Sequence, residues 1–594
     1  MAEYLSPGVY VEEFDSGGVP MAGVSTSTAG FLGLAEKGSV EGIPELITGP
    51  ADFRRIFGSY LSENAFGEYR YLAYAVDHFF ANGGSRCYVM RVAPSDAKVS
   101  TNITKEDKSP VLQFSAKNPG EWGDKIRVTI GAASKAKTQI YEVLGAKLYK
   151  VKSCAGFNQG DVVVFNDGAR KQYNRVISSQ DNVIELETAL EGDVKDNALM
   201  PVKVLMTCEF NVQVSFGDEA ESFEKVSLNA GAANYVVKVL EKSNIVKVAP
   251  VANMKDKDKD KEKDKDKDKE KEKVTEGLTP FQMISGLKDE EGSVLITLSG
   301  GSDGSLAKLA ASDFIGEDRG PGKRTGLQSF IDNDEVAIMA VPGVTDPNVQ
   351  LSLVAHCENL KSRIAVLDVP RENKKVADVM AHRNLFDSSY CAMYAPWLQV
   401  FDPLDKKNIF IPPSGSVAGV YSRSDQTRGV HKAPANEVVR SCIGLDCQYN
   451  KGEQDILNPL GVNLIRYFTG QGIRVWGART CSSNGLWKYV NVRRLFIFLE
   501  ESIKRGTNWV VFEPNDEPLW ARVQRTIDAF LTRVWRDGAL MGSSPAEAFY
   551  INIGRNTMTQ DDIDNGRLIC VIGVAPVKPA EFVIFRITQK TSEQ

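Results

Sequence analysis

An α/β protein of several domains is predicted from three features. The chain is 594 residues long, more than one core usually organises. Apolar runs alternate with helix-length segments over residues 29–93 and again from residue 292, the rhythm of parallel strands joined by crossover helices. Between them, residues 111–248 change to β-branched runs broken by turn residues, which predicts a mostly β domain inserted into the α/β one.

Taken in order, the leader combines a Pro7-Gly8 turn with Val9, Tyr10 and Val11 and then Gly17-Gly18, a short strand on a flexible stem. Such a strand needs an edge to pair with. Tyr71, Tyr74, Ala75, His78 and Phe79 recur at spacings of three and four, predicting a helix with one buried face; a strand at 86–92 follows Gly83-Gly84. In the inserted region, strands are predicted at 126–130, 161–165, 182–186 and 210–216. Residues 255–273 alternate lysine with aspartate or glutamate. Strict alternation sets like charges at i and i+4 and offers nothing apolar to bury, so a solvated, disordered loop is predicted.

The α/β rhythm then resumes with strands expected at 294–298, 336–341 and 364–369. Trp520, Val523, Ile527, Phe530, Leu531 and Val534 mark an amphipathic helix, with Asn515, Asp516 and Pro518 as its start signals. Val492, Leu495, Phe496, Leu499 and Ile503 mark another. Residues 581–587 (EFVIFRI) are β-prone, so both ends of the chain read as strands.

Composition narrows the function classes. Hydrophobic residues make up 42% and charged residues 25%, ordinary values for a chain that buries real cores. A net charge of -6 without a basic block lacks the footprint of a nucleic-acid binder. The opening residues have no basic lead followed by an apolar stretch, and the sequence has no apolar run of about 18 residues to span a bilayer; synthesis and retention in the cytoplasm are expected, without direct membrane insertion. The nine cysteines are scattered singly and read as reduced thiols.

Four features invite an enzymatic reading, and each has a plainer one. His78, His356, His382 and His431 stand apart, so no compact metal pair forms. Cys442 and Cys447 have no second pair at zinc-finger spacing. Residues 298–304 (LSGGSDG) lack the Gly-Lys-Ser/Thr ending of a phosphate loop and read as a flexible turn. Ser414 and Ser416 lie in PPSGSVAG without a Gly-x-Ser-x-Gly elbow, and a tight turn between packed elements is predicted there. No catalytic, cofactor-binding or metal residue is assigned.

Several blocks together resemble a known family. Residues 4–13 (YLSPGVYVEE), 30–38 (GFLGLAEKG) with Asp52-Phe53 and Phe57-Gly58, 79–92 (FFANGGSRCYVMRV), 116–130 (AKNPGEWGDKIRVTI) and 223–248 are similar, in order, to the tail sheath proteins of contractile phages, pyocins and extracellular contractile injection systems. The most specific block is 411–437 (IPPSGSVAGVYSRSDQTRGVHKAPANE), continued by 473–479 (IRVWGAR) and 491–494 (NVRR). The charged tract at 255–273 departs from the family.

The resemblance implies a subtilisin-like α/β core without protease chemistry, an inserted β-sandwich-like domain and extended terminal arms. On it, residues 1–25 are an N-terminal arm, 26–95 and 279–480 the core, 96–250 the outer β domain, 251–278 a charged loop, 481–575 a tube-facing region and 576–594 a C-terminal arm. Arm strands at Val9, Tyr10, Val11 and Glu12, and at Phe582, Val583, Ile584, Phe585, Arg586 and Ile587, would pair with neighbouring copies, with glycines 17, 18 and 23 as hinges. Arg533, Arg536 and Asp537 are the candidate tube contact. The implied function is a structural subunit that forms hexameric rings in a helical array around an inner tube and contracts to drive it through a target envelope. Its partners would be itself, the tube protein and the baseplate and terminator or cap proteins, with no cofactor, in a phage tail or tail-like particle assembled in a bacterial cytoplasm and able to be released from it. The alternatives are a subtilisin-like hydrolase or another tail or baseplate protein.

Overall fold

A computed structural model describes residues 21–102, 112–168, 170–194, 203–250 and 293–586. Val9, Tyr10, Val11, Glu12, Ile587 and the charged tract lie outside them. The chain divides into two compact units, one of residues 1–35, 40–92 and 311–594, the other of residues 36–39 and 93–310.

The first unit is built on a nine-stranded sheet. Six strands are parallel: β1 (Ala29–Gly33), β2 (Cys87–Arg91), β3 (Ile338–Ala340), β4 (Ile364–Asp368), β5 (Cys391–Ala395) and β6 (Val462–Phe468). They lie side by side in the order β2-β1-β3-β4-β5-β6, a doubly wound arrangement. Antiparallel strands Glu45–Ile47 and Gly472–Val475 flank them. β1, β3, β4 and β5 are buried at every position, because helical segments cover both faces. Phe31, Val89, Ala340, Val366 and Tyr394 face one side with α1 (Leu72–Ala81) and α2 (Ser414–Arg428).

The α1–α2 contact explains the most specific sequence block. PPSGSVAG is not the tight turn expected of it: Pro413 precedes a 15-residue helix that starts at Ser414. A Cβ at Gly415 would sit 2.5 Å from the Ala75 backbone, and one at Gly419 would sit 2.4 Å from the Phe79 carbonyl. Two glycines four residues apart on one helix face let the two backbones touch. The small residues read as loop formers are helix-packing residues.

Two amphipathic helices follow as predicted, α3 (Val490–Gly506) and α4 (Glu517–Arg536). The Asp516 carboxylate accepts the Leu519 N–H at 2.9 Å and caps α4, with Pro518 in its first turn. Leu495, Leu499, Val523, Ile527, Phe530 and Leu531 pack between them. Against α4 lies a two-stranded antiparallel sheet, β7 (Phe549–Ile553) and β8 (Cys570–Val574).

The second unit is β-rich, as expected, but holds two cores where one was read. A four-stranded sheet and a two-stranded sheet enclose Phe114, Trp122, Val128, Val212 and Val246. A seven-stranded sheet surrounds a separate core of Tyr149, Phe165, Val176 and Leu205. Its first and last strands, Lys137–Thr138 and Ile140–Val143, are consecutive in the chain, which brings the two ends of the sheet together. Residues 294–298, expected in the α/β core, instead pair antiparallel with Arg127–Ala133 here. The reason is one-sided burial: Val294 and Ile296 face the core while Leu295 is 51% exposed, unlike the fully buried core strands.

The packing argument predicts that Gly415→Ala destabilises the first unit by about 1–3 kcal/mol, the usual range for overpacking. Gly485→Ala, where a Cβ meets nothing within 4 Å, should stay within about 0.5 kcal/mol. Chemical unfolding of both variants measures the difference.

Candidate functional site

The ends of the described chain carry the most distinctive chemistry. Residues 21–28 are stitched to α2, α3 and α4. Met21 is buried among the α3 and α4 side chains, and its carbonyl accepts from Arg533 Nη1 at 3.3 Å. The Val24 N–H donates to Ser502 Oγ, and Ser422 Oγ donates to the Ser27 carbonyl at 2.6 Å. Arg494 donates to both Asp425 oxygens at 2.8 and 2.6 Å and to the Thr26 carbonyl at 2.9 Å, while Thr26 Oγ1 donates to Asp425 at 2.6 Å. The Arg494 and Asp425 side chains are 3% and 5% exposed. Gly23, expected as a hinge, is a close-approach position, since a Cβ there would meet the Phe498 ring at 2.7 Å.

The other end is held at one residue. Glu581 accepts from Arg479 Nε at 2.8 Å and Nη2 at 2.6 Å, from Asn458 Nδ2 at 2.9 Å and from the Tyr489 hydroxyl at 3.0 Å. Burial pushes the Glu581 pKa up, but the bonds from Arg479 and Asn458 outweigh it and hold the carboxyl below the usual glutamate value. Immediately beyond, Phe582, Val583, Ile584 and Phe585 are 72%, 68%, 80% and 83% exposed. Residues 581–586 form no strand with any of the described residues, so the β-prone run expected to be a strand has no partner edge among them. β7 and β8 pair only with each other among the described strands, so each keeps an outer edge without a strand partner.

The candidate tube contacts cluster on the last turn of α4. All three are exposed near the end of α4, and Arg533 in addition binds the Met21 carbonyl. Asp537 borders a cavity of about 380 Å³ with Asp425, Arg428, His431 and Phe498. Burial lowers the His431 pKa against the opposing pull of Asp537. The arginine–carboxylate clamps were missed by sequence reasoning. Arg479, Arg494 and Asp425 all lie within the blocks that carry the resemblance, but pairs separated by 69 and 102 residues have no spacing signal.

The residues that suggested catalysis or metal binding are not assembled into a site. Ser416 Oγ lies 3.3 Å from His78 Nδ1, both buried in the α1–α2 interface, and burial pushes His78 down to about 4. Ser414 is elsewhere, its N–H and hydroxyl donating to Asp368 at 2.9 and 2.7 Å. Burial raises the Asp368 carboxyl to about 6 against those bonds. A serine, a histidine and an aspartate are thus split between two closed pairs. His356 sits against the Arg363 guanidinium at 3.3 Å, and His382 against Gln350 at 2.9 Å. Cys442 donates to the Gly444 carbonyl. In the glycine-rich turn, the Gly301 N–H donates to the Asp124 carboxylate at 2.9 Å, so an internal carboxylate occupies an amide that a phosphate would need.

Residues 320–481 match the phage tail sheath protein central domain, and residues 482–590 match the phage tail sheath C-terminal domain. A putative prophage major tail sheath protein of Pseudomonas aeruginosa is 26% identical over 289 residues, covering 47% of this chain and 72% of that protein. The tail sheath protein of Escherichia phage P2 is 26% identical over 309 residues, covering 49% and 75%. Among solved structures, the contracted PVC sheath complex of an extracellular contractile injection system is 20% identical, covers all of both chains and aligns with a TM-score of 0.51. The sheath tail protein Lin1278 of Listeria innocua is 11% identical, covers 94% and 96%, and also aligns at 0.51. The two structural likenesses run along nearly the whole chain, whereas each of the two relatives covers about half of it.

The buried titratable groups give the first unit a pH signature. Burial lowers His78 to about 4, and burial with Arg363 lowers His356 to about 3. The unfolded chain therefore binds protons there that the folded chain refuses below about pH 6.5, and stability falls as pH drops through that range. Asp368, raised to about 6, acts oppositely between about pH 4 and 6, but two histidines outweigh one carboxylate. Stability should fall between pH 6.5 and 4, and His78→Gln should flatten the slope by roughly 1.4 kcal/mol per pH unit. Denaturant midpoints against pH measure this; parallel slopes for the two proteins would refute it.

Proposed function

The chain belongs to the phage tail sheath family, and from that footing we propose that it is the non-enzymatic structural subunit of a contractile sheath. It polymerises as hexameric rings in a helical array around an inner tube and contracts to drive the tube through a target envelope. Its partners are other copies of itself, the tube protein, and baseplate and terminator or cap proteins. It works within a phage tail or tail-like particle assembled in the bacterial cytoplasm.

The observation that carries this reading is the C-terminal end. Four consecutive apolar residues, Phe582 to Phe585, project into solvent directly after the anchored Glu581, and the same chain has a two-stranded sheet with open outer edges. An exposed β-prone run and an open edge on one molecule are the two halves of a strand-addition contact. Because they are different surfaces, the contact is head-to-tail and propagates into rings or helices. The N-terminal residues Val9, Tyr10, Val11 and Glu12 are proposed as the second arm strand, and Arg533, Arg536 and Asp537 as the tube contact. The polar character of that contact would ease release when the sheath fires.

The domain division keeps residues 1–25 and 576–594 as arms, 26–95 as the first part of the core, 96–250 as outer β region, 251–278 as charged loop and 481–575 as tube-facing region, while the second part of the core, expected from residue 279, begins at residue 311 because 293–297 pair within the β-rich unit. The subtilisin-like relationship of the core rests on the family resemblance; what supports it is a parallel sheet clad by helices on both faces. The non-enzymatic reading is supported by the burial of the Ser416–His78 pair, which leaves a substrate no approach. Contraction in this account draws on differences between subunit contacts, with rigid bodies moving while attached arms keep their pairing.

Removing residues 1–18, or separately residues 578–594, should abolish cylinders in negative-stain electron microscopy while leaving a cooperatively unfolding monomer. Removing residues 255–273 should leave cylinders intact. Normal cylinders from either arm truncation would defeat the reading.

A further inference from the structure

We propose that residues 479–494 act as a yoke that fixes both arm roots to the body, through Arg494 with Asp425 on the N-terminal side and Arg479 with Glu581 on the C-terminal side. The inference rests on the arm reading above and concerns how the arms are positioned.

The argument begins with the connectivity of one short stretch. Arg479 and the Tyr489 hydroxyl bind Glu581, and Lys488 Nζ lies 3.8 Å from the same carboxylate. Asn491 Nδ2 donates to the Val577 carbonyl at 3.4 Å and to the His431 carbonyl at 2.7 Å. Arg494 binds Asp425 and the Thr26 carbonyl. Thr26 near one end of the described residues and Val577 and Glu581 near the other are thus gripped within 16 consecutive positions, by side chains from the loop before α3 and from its first turns.

The bonding chemistry suits a joint that must hold its direction. Each clamp is a two-pronged guanidinium–carboxylate pair, which fixes direction as well as distance. Both Glu581 oxygens are occupied by donors, and Arg479 Nη1 is taken up by the Asn458 carbonyl at 3.1 Å. Exposure changes abruptly at the clamp: the Glu581 side chain is 19% exposed, and Phe582, the next residue, is almost free. The N-terminal root is likewise held through Met21. Bending during contraction is therefore confined to chain outside residues 21 and 581, and the two arms leave the body at a fixed separation and angle. An arm launched from a fixed point is partly pre-organised for capture by a neighbouring copy, which lowers the entropy lost on pairing.

The test uses the full-length chain. Asp425→Asn would strand a buried guanidinium and endanger folding, so the C-terminal clamp is the informative one. Glu581→Gln should leave unfolding of the body unchanged, raise amide hydrogen exchange over residues 577–586 about tenfold and raise the critical concentration for cylinder formation about tenfold, as expected for freeing a residue or more of backbone. The exchanged pair Arg479→Glu with Glu581→Arg should recover much of the polymerisation, which a merely structural role of either residue would not. Unchanged exchange, or raised exchange with an unchanged critical concentration, overturns the yoke. A chain lacking residues 582–594 separates the two ideas. If it forms normal cylinders, the arm reading fails; if it forms none while Glu581→Gln polymerises like the parent, the yoke alone fails.

Discussion

The buried pair of Arg494 and Asp425 is the constraint on which the arrangement of the first unit depends. It joins α2 to α3 and takes in the Thr26 backbone, and the Arg494 guanidinium lies 4.7 Å from the Tyr421 ring centre. Tyr421 in turn shares a 2.6 Å hydrogen bond with Tyr394 on β5. A buried ion pair adds little net stability compared with apolar residues of the same size, yet removing one partner is costly because the other charge stays buried. The pair therefore acts mainly to select one packing of sheet, helices and chain entry over its rivals.

That selection bears on a protein whose proposed work is done at its surfaces. A sheath subunit in this account must survive large changes of neighbour geometry without changing its own fold. The close α1–α2 contact made possible by Gly415 and Gly419 gives the core that rigidity, since two backbones in van der Waals contact leave no slack for sliding. What is left unpacked lies at the edges: the exposed run at Phe582–Phe585 and the open sides of β7 and β8. Asp368 belongs to the rigid part, its carboxylate taking the Ser414 hydroxyl and the first N–H of α2, as well as the Gly343 N–H. The serines that suggested a hydrolase are fastenings.

Much of this was legible in the sequence because it follows from periodicity. The strands at β2 to β4 and the helices α1, α3 and α4 announced themselves by runs and by three- and four-residue spacings, and Asp516 and Pro518 marked the start of α4 before the structure did. Where the reading failed, the residues looked alike in one dimension. The segment SVLIT at 293–297 is as apolar as a core strand, and only its partner decides that Leu295 faces solvent. The small residues after Pro412 suit a turn or a tight helix pair equally well until Ala75 and Phe79 are brought against them. Gly23 offered freedom in the sequence and a Phe498 ring in the structure. The clamps were out of reach for a different reason: an arginine and a carboxylate distant in sequence carry no local signature, even when both fall in blocks that identify the family.

The central claim is that subunits are joined by strands exchanged between copies. The most direct measurement is a cryo-electron-microscopy map of assembled cylinders in which residues 582–585 can be traced. The account predicts these residues in an extended conformation, hydrogen-bonded along an outer edge of the β7–β8 sheet of a neighbouring copy. Cylinders in which the same run folds back on its own subunit, or stays unpaired while the polymer holds together, would contradict it.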